Sequence, residues 1–299
     1  MTNLLFAGNE GVFDGILTCL LSIFRTTART DPFRIFVFTM DATHLKEDYR
    51  PLSARHAAFL DRVAKSYGME NEVRVIDVTQ LYGEEFSGCP NEGAYCSPYT
   101  LLRLLADLVP EVAATDKLLY LDADLLFHRD ISLLYDQDVS DYEYAAARDQ
   151  YGKYLVGPNY INAGVLLFNM PLDLRTGIFE AARGWLRRKE LPFADQSALL
   201  RSTTKKKMLP QRFNEQRRLT KRTVIRHFAK RLFWFPYPHR ENIKQWHVER
   251  VRKVFRYHEF DDLYEEYFRL KAQFETESEE PAPQEKDPIK KEQEPLTHD

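Results

Sequence analysis

The sequence predicts an α/β fold, on two observations. Short apolar runs alternate with amphipathic stretches through the first half of the chain, the rhythm of βαβ units on a parallel sheet. Two of those runs also end in polar or acidic residues, at the carboxyl ends of strands where open sheets bind ligands.

The elements follow in order. NLLFA from Asn3 forms the first strand. Ile16, Leu17, Leu20, Leu21 and Phe24 recur at helical spacing and predict a helix from Gly15 packed on a sheet. RIFVFT, a helix from Ser53 to Tyr67, and EVRVID complete two more strands and their crossover. Tyr99 to Val109 reads as a helix stopped by Pro110, and KLLYLDAD as a fourth strand ending in acids. Beyond Asp130 come shorter strands, YAAAR and GVLLFN, then a helix from Thr176 to Arg188 and a short one around Asp195. FWFPYPH reads as an irregular, partly buried loop.

A chain of 299 residues with 44% hydrophobic residues can bury a substantial core. Its formal net charge of -3 sets up no field that would draw it onto nucleic acid, so an anionic substrate must be met locally. Cys19, Cys89 and Cys96 form neither a disulfide framework nor a zinc spacing, and read as buried small hydrophobes in a reducing compartment. MTNLLFAGNEGVFDG lacks a basic, then apolar, leader, and the run from Gly15 to Phe24 is too short to span a bilayer, so a cytoplasmic protein is expected. The segment from Lys205 to Lys230 carries KKK, RR and KR clusters, readable as a membrane or polyanion patch or as a solvated face. From Glu275 the chain is Glu, Pro, Lys and Gln with almost no apolar residues, a composition that predicts disorder.

Chemistry concentrates first in Tyr120-Leu121-Asp122-Ala123-Asp124. Residues i and i+2 of a strand face the same way, so both carboxylates can converge on one hard cation, Mn²⁺ or Mg²⁺, that completes its shell with diphosphate oxygens. Such an ion stabilises the charge left on a departing diphosphate. The alternative is a pair of surface acids closing a strand. Asn162, with small Ala163 and Gly164 beside it, can approach a sugar closely, although the same pattern suits an ordinary turn. Asp195 and Gln196 open a short helix, as catalytic groups or as caps. His227 ends a strand after TVIR and can offer a neutral nitrogen to the metal, with Lys230 and Arg231 near it as cations for a diphosphate. Arg103 sits among Leu101, Leu102, Leu104 and Leu105, where its charge needs a partner. A nucleotidyltransferase also places paired acids on a strand, but would carry a Gly-rich loop with a lysine, absent after the first strand. A catalytically inactive UDP-sugar binding module remains the second alternative.

These motifs resemble glycosyltransferase family 8, the group that holds bacterial lipopolysaccharide galactosyl- and glucosyltransferases and glycogenin. The likeness runs from about Asn3 to Phe260 through LLFAGNE, SPYTLLRLLADLVP, KLLYLDADLLFHRDISLLY, NYINAGVLLFN, FADQSALL, LPQRFNEQ and VIRHF, in the family's order. It implies a GT-A fold, Rossmann-like in its nucleotide-binding half, with a mixed central sheet flanked by helices. It also implies retaining transfer of glucose or galactose from a UDP-hexose to a saccharide acceptor, in lipopolysaccharide, capsule or other surface glycan synthesis. Asp122, Asp124 and His227 then match metal ligands. Ala7, Gly8 and Asn9 match the turn that holds uridine, and Arg103 and Ala123 match donor contacts. Asn162, Ala163, Asp195 and Gln196 match residues around the transferred sugar, and Asp149 matches an acid between donor and acceptor. Domain limits follow: a glycosyltransferase domain over 1–260 with a nucleotide-sugar half to about 130, a helix over 261–274 and a disordered tail over 275–299.

Three departures carry expectations of their own. Val12, with Phe13 next to it, stands where the family often has an aromatic residue for the uracil. HFAKRLFWF lacks the glycine and Lys-Pro-Trp that usually follow the histidine, which makes Lys230 or Arg231 the substitute cation. Some members end in a basic, aromatic membrane-binding tail; this tail is acidic, so peripheral membrane contact is expected through 205–231.

Overall fold

Nine short runs of β-prone residues form strands β1 (Thr2–Ala7), β2 (Phe33–Thr39), β3 (Glu72–Asp77), β4 (Lys117–Leu121), β5 (Leu125–Phe127), β6 (Tyr144–Arg148), β7 (Ile161–Asn169), β8 (Lys206–Leu209) and β9 (Ile225–His227). A hairpin of β10 (Arg231–Phe233) and β11 (His239–Glu241) follows. The computed structural model describes residues 1–93, 97–233 and 237–277. Within them the main sheet has seven strands in the order β3-β2-β1-β4-β7-β6-β8. β1 to β4 are parallel, as the βαβ rhythm predicts. β7 runs antiparallel between β4 and β6, which makes the sheet mixed.

Strand periodicity sorts the core into two layers. Leu4 and Phe6, Ile35 and Val37, and Leu119 and Leu121 face one layer with the Phe13–Thr26 and Ala54–Tyr67 helices. Leu5, Phe36, Phe38, Leu118 and Tyr120 face the other, with the Ile178–Arg188 and Ala194–Ser202 helices. The chain adds β2 and β3 on one side of β1 and β4 on the other. A crevice therefore opens at the carboxyl ends of β1 and β4, the switch point of an open sheet.

Several local expectations change. Residues Pro98–Leu105 form a 3₁₀ helix rather than an α-helix over 99–109, and Pro110 opens a further turn, Pro110–Ala113, where its missing N–H costs nothing. Three residues per turn stack Ser97, Thr100 and Arg103 on one face, and that face lines the cavity described below. The helix expected over 176–188 is interrupted at Gly177, whose φ of 66° ends Met170–Thr176 and starts Ile178–Arg188. In FWFPYPH, Phe233 pairs with His239 in the hairpin, so the ends of that stretch are strand; residues 234–236 lie outside the described residues.

Cys19 is buried and Cys89 half-buried, with burial pushing both thiols up; Cys96 lies outside the described residues. The last helix runs Asp261–Thr276, two residues past its expected end at 274. Its final turn is held by Phe274 against Phe13, His56 and Phe59. The remainder of the expected disordered tail, 278–299, lies outside the described residues. Among the described residues no helix is long and apolar enough to cross a membrane.

Candidate active site

The acids come first, because the end of β4 fixes them. Asp122 N donates to Gly164 O at 2.8 Å, extending the β4–β7 ladder one residue past the strand. Asp122 Oδ1 accepts from Tyr120 Oη at 2.9 Å and Arg103 Nη2 at 3.1 Å. Asp124 follows in the turn to β5, and β5 pairs with β9 so that Leu125 lies opposite His227. That ribbon carries His227 from far along the chain to the acids. Its Nε2 lies 3.1 Å from Asp124 Oδ1 and 3.9 Å from Asp122 Oδ2.

The three side chains offer ligand atoms that all lie within 4.8 Å of one another. Two ligands each ~2.1 Å from a small divalent ion and at right angles would be about 3 Å apart, so small side-chain adjustments bring the set onto one ion. Two carboxylates and one imidazole suit Mn²⁺, a hard ion that also accepts nitrogen. Gly164 faces this cluster. A Cβ there would stand 2.5 Å from His227 Cε1 and 2.7 Å from Asp122 Oδ2.

A cation that pairs with Asp124 comes from farther along the chain than Lys230 and Arg231. Arg231 Nη1 donates to Arg217 O, and Lys230 lines the cavity that also holds Asp122 and Asp124. Lys244 Nζ instead pairs with Asp124 Oδ2. Lys244 opens the segment Lys244-Gln245-Trp246, which follows the β10–β11 hairpin. Gln245 is fully buried and donates to Ala123 O at 2.7 Å and Thr18 Oγ1 at 3.2 Å, which pins the segment against the end of β4. Asp124 is also buried, which raises its pKa, but Lys244 and His227 outweigh that and hold the carboxyl far below its usual range.

Two cavities meet at Asp122, Asp124 and Lys244. The smaller, about 190 Å³, is lined by Ala7, Gly8, Asn9, Val12, Tyr99 and Trp246 among others. Phe13 is not there: its ring packs on His56 and Phe59 in the core. The aromatic wall beside Val12 comes from Tyr99 and Trp246, which the sequence reading missed. Trp246 lies over Gly15, where a Cβ would come within 2.5 Å of the indole.

The larger cavity, about 360 Å³, is lined by Arg103, Asp149, Asn162, Ala163, Asp195, Gln196 and Lys230. Every expected sugar-side residue therefore faces one space. Phe193 and Ala194 precede Asp195 with φ of 57° and 34°, a left-handed pair costing roughly 1–2 kcal/mol per residue, and this turn delivers Asp195 and Gln196 to the cavity. Gln196 Oε1 accepts from Ala163 N at 3.0 Å, while its Nε2 is buried without a protein partner. The amide thus presents N–H groups to a ligand and keeps its oxygen engaged. Asp195 Oδ2 is 3.3 Å from Arg103 Nε. Burial pushes its pKa up to about 6 although Arg103 lowers it, and Asp122 adds to the rise.

Arg103 is 2% exposed, stacks on Tyr120 with its carbon 4.1 Å from the ring centroid, and donates to Thr100 O and Ala163 O. It bridges Asp122 to Asp195 and so ties the acid cluster to the sugar side. Asp149 accepts from Tyr151 N, Gly152 N and Asn162 Nδ2. The basic 205–230 segment is not one face: Arg226 is buried against Tyr257, whereas Arg217, Arg218, Lys221 and Arg222 are exposed.

Comparison with known proteins bears on this arrangement. GlyA of Streptococcus pneumoniae is 45% identical over 65 residues, 22% of this chain and 9% of GlyA. A putative glycosyltransferase of Haemophilus influenzae is 29% identical over 127 residues, 38% of each. The chain thus matches well under half the length of these two relatives. Among solved structures, the galactosyltransferase LgtC in complex with donor and acceptor sugar analogs superposes with a TM-score of 0.63 at 20% identity, over 93% of this chain and 98% of that one. The bifunctional glycosyltransferase WbbM gives 0.65 at 17% identity, over 90% and 51%. GlyE of S. pneumoniae gives 0.58 at 20%, over 91% and 64%. At these identities the likeness shows the fold, GT-A. The profile of Glycosyl transferase family 8 matches residues 4–231, most of the chain, and on that match the protein belongs to glycosyl transferase family 8.

Proposed function

We propose that the protein is a retaining, metal-dependent hexosyltransferase that moves glucose or galactose from UDP to a saccharide acceptor in surface glycan synthesis. The observation that supports this most is the meeting of Asp122, Asp124 and His227 with Lys244 at the junction of two cavities, one of a size for a base and ribose, the other for sugars. The cited complex of LgtC with donor and acceptor sugar analogs, on the same fold, favours that division. Mn²⁺ or Mg²⁺ would be held by the three residues and, when bound, supplies positive charge for the departing diphosphate.

The chain's own groups account for the rest. Tyr99 and Trp246 wall the base, with Ala7, Gly8 and Asn9 along the ribose. Lys244 moves from Asp124 to the diphosphate as the donor binds. Gln196 donates its free N–H groups to the sugar, and Asp195 and Asp149 counter the cationic character that develops there. Because the Gln196 oxygen is engaged by Ala163, the amide does not serve as a nucleophile, which favours front-face displacement with a phosphate oxygen accepting the acceptor's proton. Exposed Arg217, Arg218, Lys221 and Arg222 supply the cations for a peripheral contact with anionic lipid at the cytoplasmic face.

Purified protein with Mn²⁺ is expected to hydrolyse or transfer hexose from UDP-glucose or UDP-galactose. Asp124→Asn lowers that rate by about 10³-fold, the order seen when one transition-state electrostatic contact is lost, with little change in melting temperature. Inertness of the wild type towards both donors favours a binding module; normal turnover in Asp124→Asn removes the metal site.

A further inference from the structure

Asn214 has no exposed surface and belongs to none of the groups assigned above, yet it lies between His227 and the sugar side. Its Oδ1 contacts His227 Nδ1 at 2.8 Å, and its Nδ2 donates to Asn162 Oδ1 at 2.8 Å. Asn162 Oδ1 also accepts from Gly164 N at 3.1 Å, and Asn162 Nδ2 donates to Asp149 Oδ2 at 2.8 Å.

The direction of this chain is settled by its ends. A backbone N–H only donates, so the Asn162 atom facing Gly164 is the oxygen. The Asn214 atom that meets that oxygen is then the amide nitrogen, and the atom that meets His227 is the Asn214 oxygen. An amide oxygen only accepts, so His227 Nδ1 carries a proton, and in the neutral ring Nε2 is left with its lone pair towards Asp122 and Asp124. At the other end, Asp149 receives the Asn162 amide while its second oxygen accepts from two backbone N–H groups, which suits the same polarity.

We infer that Asn214 is a positioning residue that sets the tautomer of His227 for metal binding, through a hydrogen-bond chain that also orients Asn162 and Asp149. The inference rests on the proposed metal site. The competing arrangement is on hand, since Nε2 lies 3.1 Å from Asp124 Oδ1. A ring protonated at Nε2 donates to that carboxylate, and two of the three metal ligands then occupy each other. Asn214 closes off that state by engaging Nδ1–H. A partner of this kind also fixes the ring's rotation.

The test uses ¹⁵N-labelled full-length protein without metal, at a pH where the imidazole is neutral, with the His227 signals identified by their loss in His227→Gln. The wild type is expected to show the Nδ1–H tautomer. Asn214→Leu, which keeps the volume but removes the acceptor, is expected to shift the ring to Nε2–H, and its Mn²⁺ affinity, read from the electron paramagnetic resonance of free Mn²⁺, to fall about 10–100-fold. Asn214→Asp retains an acceptor and is expected to keep the Nδ1–H form. An unchanged tautomer and affinity in Asn214→Leu overturn the inference, as does an Nε2–H ring in the wild type. If Asn214→Leu does not fold, an Nε2–H ring in Asn214→Asp does the same. Failure of the wild type to bind Mn²⁺ would refute the metal reading separately, and the tautomer of the metal-free ring would still decide the role of Asn214.

Discussion

Replacing Gly164 by alanine adds one methyl group at the place where the two arms of the metal cluster meet. The new Cβ would sit 2.5 Å from His227 Cε1, 2.7 Å from Asp122 Oδ2 and 3.1 Å from Asn162 Oδ1. To restore the ~3.5 Å of an ordinary carbon contact the imidazole must retreat by about 1 Å. Its retreat is opposed by Asn214 at Nδ1 and by the β5–β9 ladder at its backbone. Overpacking of this kind costs about 1–3 kcal/mol of stability. The functional cost is larger, because metal–ligand distances tolerate only about 0.2 Å. A misplacement of about 1 Å in a catalytic constellation lowers the rate by about 10²-fold. The assay is Mn²⁺-dependent consumption of a UDP-hexose by the folded variant, with Mn²⁺ binding followed by electron paramagnetic resonance. Turnover and Mn²⁺ affinity within twofold of wild type in Gly164→Ala would refute the packing argument and the cluster it rests on.

Other perturbations separate the remaining parts. Burial and Asp122 raise the Asp195 pKa from 3.8 to about 6 against the opposing effect of Arg103, so the folded state holds that proton more tightly than the unfolded chain; its contribution to stability is complete below pH 3.8 and is lost as pH rises through 6. Asp195→Asn should therefore match the wild type in urea denaturation at pH 3.5 but exceed it by roughly 3 kcal/mol above pH 6, while losing transfer activity. Wild-type kcat/KM should fall on the acid side as the Asp195 carboxylate takes up its proton. Arg103→Met leaves Asp122 and Asp195 without their buried cation and should cost about 3–5 kcal/mol, measured by chemical denaturation, with Arg103→Lys recovering only part because a single ammonium cannot span both acids. Asp173 is fully buried with neither oxygen hydrogen-bonded, and burial with the nearby Glu143 raises it to about 9. By the same sign, wild-type stability should decline from pH 5 to 9 relative to Asp173→Asn, as melting temperatures across that range would show.

The apolar runs of NLLFA, RIFVFT and KLLYLDAD and the helical pattern of Ala54–Tyr67 were legible because each is written in a few consecutive residues: a strand covered on both faces reads as a continuous apolar run, and a helix covered on one as a 3.6-residue repeat. The acids at the end of β4 were legible for the same reason, since a strand's end is a local feature. What failed were elements whose form depends on what they touch. The stretch after Ser97 has helical spacing yet winds as 3₁₀, with Arg103 reaching Asp122 and Ala163, contacts that local spacing does not show. The aromatic wall beside Val12 was likewise not legible, since Tyr99 and Trp246 reach it from elsewhere in the chain, while neighbouring Phe13 packs on Phe59 and Phe274 in the core.

By itself, then, the sequence determined the strand and helix order, the carboxylate pair and the family-like string of motifs, all of them short-range. His227 was named from the family likeness, but the contacts that bring distant groups to the acids, and the arrival of Lys244, Trp246 and Asn214, were decided by tertiary structure. His227 reaches Asp124 through the β5–β9 ribbon, Lys244 and Trp246 arrive after the β10–β11 hairpin, and Asn214 joins the ring to Asn162 across the chain. Charge and hydrogen-bonding capacity are properties of residues, but the distances of about 3 Å at which they act are set by folding.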